Sequence, residues 1–342
     1  WLSKSVMEPV NIKKLARILN LSISTVSKAL RDGHDISQET KDKVVSLATE
    51  LNYQPNPHAS SLRKHSSKTI AVIIPEIDNN YFTLAIKGIE SIAQEKGYHV
   101  LIYLTHEEIS KEVALTKYLH GGRVDGVLIS VSSTTTDHSH LEQLMKNGLP
   151  IVFFDRVCES LDTAKITTDD FESAYLATRH LIEQGCRRPA LLAISRNISI
   201  GNKRMEGYLK ALTDEGFPTD ESLIVECVND DEQDLKLIEN LLLQQKPDGV
   251  FAAVERYAIS TYEACHELRL KIPGDLKVIC FSNLKIAALL NPSLSTITQP
   301  AYDIGREAAI ILFKSLEKKM FRLADEQIVI KSVLIQREST GN

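Results

Sequence analysis

From Thr69 onward, apolar runs of strand length alternate with amphipathic stretches of helical period. TIAVIIP (69–75) precedes a helical segment around Phe82–Lys96, and HVLIYL (99–104) precedes one over Glu107–His120. DGVLIS (125–130) is followed by a helical segment near Leu141–Asn147 and then by PIVFFD (150–155). Strands apolar at nearly every position are buried on both faces, so this βαβ series predicts a parallel sheet covered by helices. The pattern then restarts. A helix over Phe171–Gln184 leads to PALLAIS (189–195), a helix over Arg204–Glu215, and LIVECV (223–228). A helix over Glu232–Gln245, DGVFAAV (248–254), a helix over Ile259–Leu270 and LKVICFS (276–282) complete the second set. Val124-Asp-Gly-Val and Pro247-Asp-Gly-Val open equivalent strands, which points to one α/β unit used twice. A helix over Tyr302–Lys318 and a single strand over 327–337 end the chain. Ligands in doubly wound folds sit beyond the C-terminal strand ends, in the cleft between two such units.

The first 68 residues follow a different rule. Asn11 can cap a helix whose Ile12, Leu15, Ala16 and Leu19 form one apolar face. Asn20 suits a left-handed turn residue. Ser22 can cap a second helix with Val26, Ala29 and Leu30 inward, leaving Ile23, Ser24, Thr25, Ser27 and Lys28 near its exposed N-terminal end. Ser37 can cap a third helix with Val44, Leu47, Ala48 and Leu51 on its apolar side. A helix-turn-helix presents its recognition helix to the major groove in this way, although an ordinary helical hairpin shares the pattern. Asn56 followed by Pro57 then encodes a short helix, Pro57–Lys64, with Ala59 and Leu62 on one face. It is too short to be stable alone. It reads either as a plain linker or as a hinge helix that forms when something packs against Leu62.

Charge sharpens the division. Residues 1–68 hold eleven Lys or Arg against six Asp or Glu, a net +5, so a chain of net −5 leaves −10 on the remainder. A basic head on an acidic body is the electrostatic footprint of a nucleic-acid-binding module joined to something else. At 342 residues, 43% hydrophobic and 25% charged, the chain suits two or three soluble domains. The five cysteines lack CxxC spacing, which fits reduced thiols and neither a disulfide frame nor a zinc site. No apolar run is long enough to span a bilayer, and WLSKSVMEPVN lacks a signal-peptide core, so a cytoplasmic protein without a membrane partner is expected, with Met7 as its natural start. The expected domains are a helix-turn-helix over 7–54, a hinge and linker over 55–68, and a ligand-binding part over 69–342. Within the last, one subdomain takes about 69–166 and 298–325, the other about 167–297 and 326–342.

TVSKAL in the second helix, LNYQPNPHA with Leu62, and the IAVIIP…YF…DGVLIS series together resemble the LacI/GalR family of bacterial transcriptional regulators. The resemblance runs from Val10 to Arg337. The α/β part alone is also similar to periplasmic sugar-binding proteins. The resemblance implies a homodimeric repressor on a pseudopalindromic operator in double-stranded DNA, controlled by a sugar, sugar phosphate or similar small molecule between two subdomains. It marks Ile23, Ser24 and Lys28 as base or groove contacts, and Ser22, Thr25 and Ser27 as phosphate contacts. Asn56, His58, Ala59 and Arg63 join them in the hinge, and Leu62 becomes a minor-groove wedge. On the ligand side it marks Arg204 as an anchor, Tyr81 and Phe82 as pocket walls, and Asp155, Arg156 and Gln299 as cleft residues. Glu255 stands where the family has Asn-Asp or Asp, and Ser282 where it has Asp, so a common hexose is in doubt. No pattern decides between a neutral sugar and a phosphorylated one.

Two other classes are weaker. No GxGxxG follows Thr69–Pro75, and neither GxxxxGK[ST] nor HExxH occurs, so no enzyme and no cofactor is expected. Asp169-Asp170 and Asp230-Asp231 read as turns or helix caps, not metal ligands. A periplasmic binding protein would need a signal peptide and has no use for the basic head.

Overall fold

The structure is a computed structural model that describes residues 10–53, 66–119, 121–318 and 320–341. Two compact units divide at Ser67 and Lys68.

The head unit holds α1 (Ile12–Leu19), α2 (Ile23–Ala29) and α3 (Gln38–Glu50). Each begins with the expected cap. Asn11 Oδ1 accepts from the Lys14 N–H at 3.0 Å, Ser22 Oγ from Thr25 at 3.0 Å, and Ser37 Oγ from Thr40 at 3.4 Å. Asn20 turns the chain at φ 52°, in the left-handed region that Asn tolerates. Leu15, Ala16, Val26, Ala29, Val44 and Ala48 are buried together as the core. The hinge expected at 55–68 falls largely outside the described residues.

The body unit contains two six-stranded sheets. The first runs β11-β5-β4-β3-β1-β2, from β1 (Thr69–Ile74), β2 (His99–Leu104), β3 (Gly126–Ile129), β4 (Ile151–Phe154), β5 (Lys165–Thr168) and β11 (Gln327–Ile330). The second runs β12-β10-β9-β8-β6-β7, from β6 (Pro189–Ala193), β7 (Ile224–Glu226), β8 (Gly249–Ala252), β9 (Lys277–Phe281), β10 (Ser295–Thr298) and β12 (Val333–Ile335). All pairings are parallel except β10 with β12. Ile70 to Ile74 of β1 and all of β3, β4 and β8 are buried, as their unbroken apolar runs require.

Each subdomain packs one helix pair at backbone distance through glycine. In the first, α4 (Asn80–Glu95) lies on α11 (Ala301–Glu317). A Cβ on Gly88 would stand 2.1 Å from the Tyr302 carbonyl oxygen, and one on Gly305 would stand 2.0 Å from that of Ala85. In the second, α7 (Asp170–Glu183) lies on α8 (Ser199–Asp214).

Three sequence expectations need correction. The tail is two strands, not one. β11 joins the first sheet and β12 the second, so the crossing lies at Lys331-Ser332 and not at 325–326. The break is held by Asp169 Oδ1, which accepts from the Ser332 N–H at 2.7 Å, and by Thr168 Oγ1, 2.6 Å from Ser332 Oγ. Lys165–Thr168, too short and polar to stand out as an apolar run, is strand β5 of the first sheet. Helix α8 starts at Ser199, five residues before the expected Arg204, because the apolar face already begins at Ile200. The remaining α-helices among the described residues are α5 (Ile109–Leu119), α6 (Ser139–Lys146), α9 (Asp231–Gln244) and α10 (Glu255–Leu268).

Candidate functional site

In the head, the first turn of α2 presents Ser22, Ile23 and Ser24 to solvent, with Lys28 exposed one turn on. Ser22 Oγ lies 2.7 Å from Ser24 Oγ and 2.8 Å from Thr25 Oγ1, so the cap ties three hydroxyls together at the helix start. Thr25 is half-buried. Lys28 Nζ pairs with Asp35, whose carboxyl this hydrogen bond holds below its usual range. Ser27 departs from expectation, since it is only 9% exposed. On a helix it sits beside Val26 and one turn before Leu30, both inward-facing, and its side chain is too short to reach past them. Asn56, His58, Ala59, Leu62 and Arg63 lie outside the described residues.

In the body, one cleft gathers all eight residues expected to line a ligand site. Tyr81, Phe82, Asp155, Arg156, Arg204, Glu255, Ser282 and Gln299 share its wall with Asn79, Ile200, Val254, Phe281 and Asn283. The topology explains this convergence. Tyr81 and Phe82 stand on the first turn of α4 after β1, and Asp155 follows β4. Glu255 opens α10 after β8, and Ser282 and Gln299 follow β9 and β10. The inner compartment spans about 370 Å³ of empty space, part of it open to solvent. A second, solvent-open space of about 1000 Å³ adjoins it across Asn79, Arg156, Val254 and Glu255, and reaches Glu76, Asn80, Arg256 and Ile259.

Arg204 is the most deeply buried of the charged residues that line the inner compartment. Its Nε and Nη2 both donate to Asp170 Oδ1 at 2.8 Å, and its Nη1 donates to the Ala253 carbonyl. Its guanidinium lies 3.8 Å from the centroid of Phe281, a cation–π stack. Burial pushes the Asp170 carboxyl above its usual value against the pull of Arg204. Arg156 Nη1 donates to both Glu107 oxygens, at 2.7 and 3.0 Å. Burial opposes ionisation of Glu107, but Arg156 outweighs it and the carboxyl stays below its ordinary range. Asp155, at φ 61°, accepts from Ser130 Oγ at 3.3 Å, and burial pushes its carboxyl up to about 6.

Four buried polar atoms on this wall have no hydrogen-bond partner: Tyr81 Oη, Arg156 Nε, Asn283 Oδ1 and Gln299 Nε2. Each such atom costs about 1–3 kcal/mol when left unpaired. Among the described residues no His, Cys, Asp and Glu cluster is arranged for a metal ion, and no helix is long and apolar enough to cross a membrane.

Asp170 is the residue that the sequence reading missed, having been taken with Asp169 as a turn or cap. Asp169 holds the chain crossing and makes no side-chain cap bond to its helix, while Asp170 neutralises Arg204. Asp230 does cap α9, accepting from the Gln233 N–H at 2.9 Å. Asn283 and Asn79 carried only the weak signal of polar residues beside strand ends.

A family model described as periplasmic binding proteins and sugar binding domain of LacI family matches residues 67–339, and one for bacterial regulatory proteins, lacI family, matches 11–56. The ribose operon repressor of Halalkalibacterium halodurans is 31% identical over 96% of this chain and 96% of its own. The HTH-type transcriptional repressor CytR of Escherichia coli is 31% identical over 94% of this chain and 95% of its own. A lac repressor dimer bound to operator and the anti-inducer ONPF shares the fold at a TM-score of 0.84 and 21% identity, covering 98% of this chain and 100% of that one. The chain belongs to the LacI family of bacterial regulatory proteins, DNA-binding transcription regulators and not enzymes.

Proposed function

We propose that the protein is a cytoplasmic repressor that binds a pseudopalindromic operator as a homodimer and responds to a sugar-like molecule held in the body cleft. Four buried polar atoms without a hydrogen-bond partner, all on residues that line that one cleft, carry the ligand reading. Three are donors and one is an acceptor, the mixture that adjacent hydroxyl groups satisfy. Ile23, Ser24 and Lys28 serve as groove contacts and Ser22 and Thr25 as phosphate contacts, with Leu62 as the minor-groove wedge. The exposed Leu101 and Ile102 of edge strand β2 suit cover by a second copy.

Ligand control works through closure. Glu255 Oε1 accepts from the backbone N–H and the side-chain amide of Asn80, and Arg256 Nη2 pairs with Glu76 at 3.2 Å, so α10 of the second subdomain clasps the first. A ligand bridging both walls favours this arrangement over an open one and shifts the population accordingly. Fluorescence anisotropy tests the proposal. A site selected from random DNA should bind far more tightly than random duplex, with a steep loss on adding salt, and one sugar-like compound should shift that affinity. Equal affinity for selected and random DNA overturns it.

A further inference from the structure

We propose that the cleft takes an uncharged polyhydroxylated molecule (a sugar, glycoside or nucleoside) and that Asp170 enforces this choice by cancelling the charge of Arg204. The inference rests on the reading of the cleft as a ligand site. A guanidinium on a cleft wall is ordinarily a fork for phosphate or carboxylate. Here the fork is already filled. Nε and Nη2 of Arg204 both meet Asp170 Oδ1 at 2.8 Å, with the two side chains 3% and 1% exposed. Phe281 lies against the guanidinium and Ala253 holds its third nitrogen, so the group is fixed and does not swing toward an anion.

The rest of the wall repeats the arrangement. Arg156, the other guanidinium of the inner compartment, gives its Nη1 to both oxygens of Glu107. Asp155 and Glu255 add two further carboxylates to the lining. Around the inner compartment two cations therefore stand against four acids, Asp155, Asp170, Glu107 and Glu255, and in the outer one Arg256 is likewise matched by Glu76. In a buried site of low polarisability, a phosphate meets this as net repulsion. The start of α8 gives no alternative anion seat, because Ser199 Oγ accepts the Val157 N–H at 3.2 Å and the Ser195 carbonyl oxygen lies 2.2 Å from where a Gly201 Cβ would be. What remains unfilled is neutral in demand. Tyr81 Oη, Arg156 Nε and Gln299 Nε2 have hydrogens to give, and Asn283 Oδ1 a lone pair to offer. Tyr81 and Phe82, edge to face at 5.5 Å, supply an apolar wall for a ring face.

Thermal shift and calorimetry on the full chain test this. The probes are glucose, ribose, cellobiose and adenosine, beside glucose 6-phosphate, ribose 5-phosphate, adenosine monophosphate and inorganic phosphate. We expect a neutral compound to raise Tm, and no ester to bind more tightly than its parent. Asp170→Asn should tighten inorganic phosphate binding at least fivefold over wild type, and Asp170→Glu should not. Asp155→Asn, which removes a charge without touching the fork, should move phosphate affinity in the same direction and covers the case of an Asp170 variant that does not fold. An ester that binds wild type more tightly than its parent overturns the exclusion. Failure of both folded variants to gain phosphate overturns the role of the carboxylates. If no neutral compound shifts Tm while the variants do gain phosphate, the charge argument stands and the polyol reading of the cleft falls.

Discussion

Glu255 and Asn80 face each other across the cleft, 175 residues apart in sequence, with one carboxylate oxygen accepting from the backbone N–H at 3.2 Å and the side-chain amide at 2.9 Å. The other oxygen accepts from Ser282 Oγ at 2.9 Å. One acid thus joins a strand end of its own subdomain to the first turn of α4 in the other.

That clasp can be weakened without touching the inner compartment, since neither Asn80 nor Arg256 lines it. Asn80→Ala removes one bond to Glu255, and Arg256→Ala breaks the pair with Glu76. Each bond of this half-exposed kind contributes about 0.5–1.5 kcal/mol. The double variant should bind the ligand about tenfold more weakly in calorimetry. Small-angle scattering should give it a larger radius of gyration than wild type. Unchanged affinity would mean that closure does not depend on the clasp.

Asp155 sets a pH dependence. Its carboxyl is raised from 3.8 to about 6 by burial, so between those values the folded state holds a proton that the unfolded state has lost. Stability from this group is therefore full below pH 4 and lost as pH rises toward 6, by about 3 kcal/mol at 1.36 kcal/mol per unit. Asp155→Asn keeps a residue that tolerates φ 61° and removes the titration. Urea denaturation across pH 4.5–7 should show the wild-type-minus-variant difference falling with pH. A flat difference would place the proton elsewhere.

The order of most elements was readable because the central strands β1, β3, β4 and β8 are unbroken apolar runs, and a strand buried on both faces leaves that mark, whereas the polar β5 and β10 leave none. The eight cleft residues were legible through the resemblance to the LacI/GalR family, and the fold supplies the physical reason that they converge, because parallel strands send their C-terminal ends to one side. Partnership was not. Asp170 and Arg204 are 34 residues apart, and nothing in a DD dipeptide says that one acid holds a chain crossing while the next fills a guanidinium fork. The tail failed for a related reason. QIVI and VLI have the same alternation, and only the neighbours β5 and β10 decide that they belong to different sheets. Ser27 shows the limit on a short helix, where a small polar side chain is covered by its larger neighbours.

Gly88→Ala should destabilise the body strongly. A methyl there would meet the Tyr302 carbonyl oxygen at 2.1 Å and the Arg306 nitrogen at 2.8 Å, and both are backbone atoms of a packed helix. Helices α4 and α11 must then separate, costing about 1–3 kcal/mol or more. Gly274→Ala, whose nearest contact would be Lys271 Cβ at 3.5 Å, is the control and should change stability little. Equal denaturation midpoints for the two would mean that the helix pair yields easily.

The Arg204–Asp170 pair separates stability from recognition. Arg204→Ala leaves the Asp170 carboxylate buried without its partner, a situation that typically costs 3–5 kcal/mol, or about that much here. Replacing both together, Arg204→Met with Asp170→Leu, removes the buried charges in one step and fills the space with apolar side chains. Such exchanges are commonly neutral or stabilising. The double variant should therefore recover most of the lost stability in chemical denaturation. It should not recover ligand binding, because Arg204 and the Phe281 ring it stacks on form part of the cleft wall, and that wall changes shape and polarity when the pair is replaced. Recovery of both would make the pair a structural strut with no part in recognition, and recovery of neither would mean that the charges hold the cleft walls in register.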